Sequence, residues 1–382
     1  MKQRFVSIVT SVLTVLTATT APFTASAAGK TTDYTLNDYT TAESFYNRVV
    51  LSKQFRNCED RAERGEMLQL PQYMLDRMTT DALAEAVLDF PYFCDVYAFD
   101  DAQIGFDLMM EHFNGVQELA DRDDVASVLL EKYCDEDVLT DEASADGEVF
   151  RLTNMEILLS QNFVTTKLSK KEKNKFVKTV VSKMEDKAAS PVYGDFTNNL
   201  LFDLAEENSK DGNFLKDMQG ARDTGRTTFV TTPRGTRVTT TWSDTEPLSQ
   251  AEIDRINTQY DSLYPNAQRK RSATGKYNCH SYAWHTTSAS NSHWMDDPTA
   301  YYTDGSYAMT DTIRYGFKAV YHALNNPRYA NGYPIHSAMV DRYYGSTLKL
   351  YSKWGRCGMY HHAWNDSPYT YYTLRFYQYQ YN

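Results

Sequence analysis

Between residues 41 and about 205, apolar positions recur at three- and four-residue spacing. TAESFYNRVVLSKQF, DALAEAVLDF, AQIGFDLMMEHF, VASVLLEKY and NMEILLSQNF each carry one apolar stripe, and each stripe predicts an amphipathic helix. The punctuation agrees. Pro71 opens PQYMLDRM, Asn114-Gly115 interrupts a helix, and Ser169 with Glu172 forms a capping box ahead of KKEKNKFVKTVVSKM. The pattern then changes. NSKDGNFLKDMQGARDTGR is polar and glycine-containing, as a linker or surface loop is. TTFVTTPRGTRVTTTW alternates β-formers around Pro233-Arg234-Gly235, a hairpin signal. A second capping box, Ser249 to Glu252, opens QAEIDRINTQYDSLY, which Pro265 ends. HSAMVDRYYGSTLKLYSKWG and YTYYTLRFYQYQY alternate as strands do. The expected fold is therefore multidomain: an all-α domain over 28–205, a linker over 206–225, and an α+β domain with an antiparallel sheet over 226–382.

The first 27 residues stand apart. Lys2 and Arg4 precede an uncharged, mostly apolar run that closes on Ala25-Ser26-Ala27, the layout of a secretory signal peptide. The expected location of the mature chain is therefore extracellular or in the cell envelope. No later apolar run is long enough to span a bilayer, so no transmembrane anchor is expected. The net charge of −11 is unevenly spread: from Ile256 onward the chain has twelve Lys/Arg, seven Asp and no Glu. Acidity overall, together with export, argues against a nucleic-acid partner. The acidic stretch 135–148 reads as an exposed loop. The basic cluster Arg269-Lys270-Arg271 reads as a solvated loop, or as a contact for anionic wall polymers.

Candidate chemistry gathers late in the chain, where seven of the eight histidines and 21 of the 29 tyrosines lie. In KYNCHSYAWH, Asn278 is a good N-cap residue, which places Cys279 at the first helical position. Free N–H groups and the helix dipole favour a thiolate there. The base best placed to serve such a nucleophile is His336, on the first strand of the predicted hairpin. A three-residue loop, Tyr344-Gly345-Ser346, brings Ser352 of the second strand near it, whereas a two-residue loop brings Lys353. Trp354, beside that position, is expected to border a cleft, and Tyr277 to contact substrate.

The order Asn278-Cys279, Tyr282-Ala283-Trp284, His336-Ser337-Ala338-Met339-Val340 and a polar strand position resembles the NlpC/P60 and CHAP cysteine amidohydrolases, a papain-like superfamily. The resemblance spans about 140 residues and leaves out the helical region. It implies a papain-like fold for 226–382, Cys279 as nucleophile, His336 as base, Ser352 in the third position, and amide bonds of peptidoglycan peptides as substrate. The sequence departs from that pattern in having Asn before the cysteine and no Asn, Asp or Glu in the third position. The helical region would then bind a protein partner or position the enzyme.

Rival readings stay open. The five cysteines Cys58, Cys94, Cys134, Cys279 and Cys357 are an odd number, and Cys279 can pair with Cys357. A structural cysteine would fit a non-catalytic protein that binds glycan or protein through its aromatic surface. Cys279-His280 with His285 and His293, or the pair His361-His362, supplies zinc-ligand types. None has a usual zinc spacing, so neither metal nor cofactor is expected.

Overall fold

The apolar stripes between residues 41 and 207 form helices, as their period requires. The computed structural model describes residues 41–141, 149–207, 225–324, 330–344 and 347–381. The expected signal peptide, nearly all of the expected linker and half of the acidic loop lie outside the described residues. The Ser169 capping box forms: Ser169 Oγ accepts the Glu172 N–H at 3.3 Å and Glu172 Oε2 accepts the Ser169 N–H at 2.8 Å, opening the helix Lys170–Ala189. The break near Asn114 is also present, between the helices Ala102–His112 and Asn114–Asp121. Asn114 holds it by bonding the backbone N–H and carbonyl of Leu70 at 3.0 and 2.8 Å. Among the described residues, no helix is long and apolar enough to cross a membrane.

The C-terminal part is sheet-rich and antiparallel throughout. Strands β1 (Arg226–Thr231) and β2 (Arg237–Trp242) form the expected hairpin, and β4 (His293–Trp294) adds a third strand. The larger sheet contains β3 (Gln268–Arg271), β5 (Tyr307–Thr310), β6 (Lys318–Ala323), β7 (Tyr333–Tyr344), β8 (Thr347–Lys353), β9 (Met359–Ala363) and β10 (Thr373–Tyr379). Its seven strands run in the order β3-β9-β8-β7-β6-β10-β5. The β7–β8 register is reached by an unexpected route. Tyr344 pairs with Thr347, as a two-residue loop dictates, but a bulge between Val340 and Arg342 shifts the pairing so that Met339 faces Tyr351. The bulge absorbs one residue. The body of the hairpin therefore has the register expected of the longer loop.

Helical and sheet-bearing segments belong to one compact unit, Thr40–Asn382. The segment Pro91–Ala98, a buried 3₁₀ helix that no apolar period had marked, lies at the seam. Tyr260 donates to the Cys94 carbonyl at 2.8 Å and Tyr264 to Asp95 at 2.7 Å. Tyr369 donates to the Ala98 carbonyl at 2.5 Å, and the Arg356 N–H to the Tyr97 carbonyl at 3.2 Å. Two buried ion pairs reinforce the seam: Arg61 with Asp95 at 2.9 Å, and Arg64 with Asp366. Removing one partner of such a pair leaves a buried charge uncompensated, which costs about 3–5 kcal/mol.

Candidate functional site

The helical turn begins at Cys279, and Asn278 Oδ1 accepts the Ser281 N–H at 3.1 Å, the expected cap. The cap residue does more. Its Nδ2 donates to the Met295 carbonyl at 2.6 Å and to Asp100 Oδ2 at 2.8 Å, fastening the cysteine to β4's edge and to the helical region. Asp100 follows the seam segment. Its neighbour Asp101 caps the helix Ala102–His112 by accepting the Gln103 N–H at 2.7 Å, which leaves Asp100 free to face the other way.

Three chemically distinct groups meet there. Cys279 Sγ donates to Asp100 Oδ2 at 3.7 Å, and His280 Nε2 lies 3.7 Å from the same oxygen. Backbone N–H groups of His280 and Ser337 are directed at the sulfur. Cys279 and His280 are each 1% exposed, while the Asp100 side chain keeps 16% of its surface accessible. Burial, and next the Asp296 carboxylate, push the Asp100 carboxyl up to about 7. Burial, and next Asp100 itself, hold the Cys279 thiol well above its ordinary value. Burial lowers His280 to about 3, so its ring is neutral. His280 Nδ1 lies 2.7 Å from Ser337 Oγ, which also accepts the Trp284 indole N–H at 2.9 Å.

The other expected site residues lie nearby but are joined differently. His336 is completely buried, with its ring stacked on Tyr369 at a centroid distance of 3.6 Å. Neither of its ring nitrogens has a hydrogen-bond partner among the described residues, so the anticipated thiol–imidazole bond is not formed. Ser352 bonds His362 Nε2 at 2.7 Å, not His336, and accepts the Trp354 indole N–H at 2.9 Å. Trp354 is not at a cleft edge. It is fully buried, stacked on Tyr360 of β9 at 4.1 Å with Tyr264, the cap of the helix Gln250–Leu263, at 4.8 Å. Tyr277 is buried with Tyr282 and Met359, and Lys353 Nζ sits 5.3 Å above its ring. That lysine is occupied by the carbonyls of Thr274, Gly355 and Cys357 at 2.6–2.9 Å, which anchor the turn after β8.

All five cysteines are free thiols, so the Cys279–Cys357 bridge is absent. Nor do the zinc-type residues group as their order in the chain suggested. Among the described residues, the one metal-competent cluster is Asp100, Cys279 and His280. His285 and His293 pack against each other, and His361 is engaged with Asp341 at 3.0 Å.

A cleft of about 480 Å³ has Phe196, Lys276, Trp294, Asp296 and Arg356 in its wall; none of Asp100, Cys279 and His280 lines it, but Arg356 donates to the Asp100 carbonyl at 3.5 Å. Arg356 stacks over Trp294 at 4.6 Å and Phe196 at 4.0 Å. Asp100 was missed because its partners lie 178 and 179 residues away. The signal that was present is the doublet Asp100-Asp101 before a helix, where one acid suffices for the cap. Comparison of the chain with protein-family models, with curated proteins and with solved structures finds no match.

Proposed function

We propose that the protein is an exported cysteine amidohydrolase with a papain-like catalytic part, cleaving amide bonds of peptidoglycan peptides. The observation that carries this reading is the Cys279 thiol at a helix start, with backbone N–H groups on its sulfur and a carboxyl raised to about 7 at 3.7 Å. A nucleophilic cysteine needs a proton acceptor near the working pH, and Asp100 supplies one; burial and Asp100 keep the resting sulfur a thiol, so its proton leaves as the sulfur attacks. Cys279 Sγ attacks the carbonyl carbon while Asp100 takes the thiol proton. The C–N bond breaks as Asp100 returns that proton to the leaving amine, and water then hydrolyses the thioester. His280, neutral and held by Ser337, sits beside both groups. Export and the resemblance to NlpC/P60 and CHAP enzymes support the choice of substrate, and the cleft with Trp294 and Arg356 offers a place for a peptide.

The resemblance assigns the base to His336, and the geometry favours Asp100. Amide release from muropeptides, followed by mass spectrometry, tests the reading: Cys279→Ala abolishes release with the fold intact, and unchanged release would overturn it. With Asp100 as base, kcat/KM rises with pH through about 7, and Asp100→Asn removes that limb. With His336 as base, the limb lies well below pH 6.5 and survives Asp100→Asn.

A further inference from the structure

We infer that Asp100, Cys279 and His280 form a binding site for a thiophilic divalent cation of the zinc type, assembled from the helical and the sheet-bearing parts of the chain. Each residue offers one ligand atom, and the three atoms lie within 4.8 Å of one another. The two distances to Asp100 Oδ2, from Cys279 Sγ and from His280 Nε2, are both 3.7 Å. Tetrahedral zinc, with bonds of about 2.3 Å to sulfur and about 2.0 Å to nitrogen or oxygen, holds its ligands roughly 3.3–3.6 Å apart. The two distances to Asp100 therefore need to shorten by a few tenths of an ångström, and the Cys279 Sγ–His280 Nε2 pair, which lies within 4.8 Å, closes by at most about 1.3 Å.

Neighbouring residues on a helix ordinarily diverge too far to share an ion. Here Cys279-His280 opens directly into the wider π-helical turn Ser281–His285, and the third ligand arrives from another region.

The surroundings suit a metal ligand set. With the ring proton on Nδ1, which lies 2.7 Å from Ser337 Oγ, Nε2 is left as a ligand atom 3.7 Å from Asp100 Oδ2; the Pro334 carbonyl also accepts from this ring. Such a bond fixes tautomer and ring orientation in metal-bound histidines. Trp284 holds Ser337 in turn, and Asn278 holds Asp100 Oδ2. Asp100 Oδ1 is buried without a hydrogen-bond partner among the described residues. Thiolate, imidazole and carboxylate together select zinc over magnesium or calcium. On binding, the thiol gives its proton to solvent as the S–metal bond forms.

The consequence for activity rests on the proposed hydrolase: a sulfur held by zinc cannot attack a carbonyl, so zinc would inhibit and a chelator restore the enzyme. The binding test does not need that activity. Titrating the reduced, metal-stripped mature chain with Co²⁺ should give a thiolate-to-cobalt charge-transfer band and tetrahedral d–d bands that saturate at one equivalent. Cys279→Ser should lose the charge-transfer band, and Asp100→Asn and His280→Gln should weaken binding tenfold or more, with circular dichroism confirming the fold. Absence of the bands, or bands unchanged in Cys279→Ser, would overturn the site even if the protein hydrolyses amides. Bands that depend on Cys279 without hydrolysis in any metal state would leave the site standing and remove the hydrolase.

Discussion

Strand β7 presents two buried polar clusters through successive residues. On the Ser337 side, a thiol, an imidazole and a carboxyl converge, and the Asp100 side chain keeps 16% of its surface accessible. On the His336 side lies an enclosed group of neutral rings and a hydroxyl: His336 on Tyr369, and Ser352 joining Trp354 to His362. Burial lowers both His336 and His362, the latter to about 3; neighbouring His280 lowers His336 further, and no carboxylate offsets it in either ring. The same strand thus supports one cluster able to move a proton and one that packs. The difference is a single acid, Asp100, supplied by the helical region.

The comparison can be broken most forcefully at His336. His336→Ala deletes an enclosed ring and should cost about 3–5 kcal/mol in urea unfolding. His336→Phe keeps the stack on Tyr369 and should cost less than about 1.5 kcal/mol while retaining any amide hydrolysis. Loss of hydrolysis in a stable His336→Phe protein would move the chemistry to the other cluster.

Asp100 gives a pH-dependent contrast. Its folded value of about 7 lies above the ordinary carboxyl value of 3.8, so the folded chain holds this proton more tightly. The associated stability is fully present below about pH 4 and is lost as pH rises through 7. Asp100→Asn should flatten that decline, by at most about 4 kcal/mol, in unfolding measured from pH 4 to 8. A slope identical to that of the parent would mean the carboxyl titrates normally.

Ser352→Ala should leave the Trp354 N–H and the His362 ring without their partner, at a cost of about 1–3 kcal/mol, with hydrolysis unchanged in the folded fraction. The smallest effect belongs to neither cluster. Ser169→Ala, at an exposed capping box, should cost about 1 kcal/mol and serves as a control for purely local structure.

Short-range features are legible in the chain. The capping boxes at Ser169 and Ser249, the Asn278 cap, the 226–242 hairpin and the break near Asn114 are all short-range features, and the structure contains them. The 3₁₀ segment Pro91–Ala98 left no apolar period because nearly all of it is buried, so no face stays polar. Trp354 illustrates the opposite failure. Strand alternation marked its face correctly, but the sequence around it could not say that tyrosines from another element would cover that face.

What the sequence by itself determined is the series of local decisions: where helices start, which strands pair as hairpins, and that Asn278 caps the turn opened by Cys279. Each depends on residues within a few positions of one another, so spacing and residue type suffice. The tertiary structure alone decided which acid meets the thiol, which histidine Ser352 holds, and that His280, not His285 or His293, shares Asp100's oxygen. Those choices follow from the docking of the 91–101 segment onto the sheet, which brings groups together across 179 residues of chain. Over such a separation a contact is set by the packing of whole elements, and no local pattern records it.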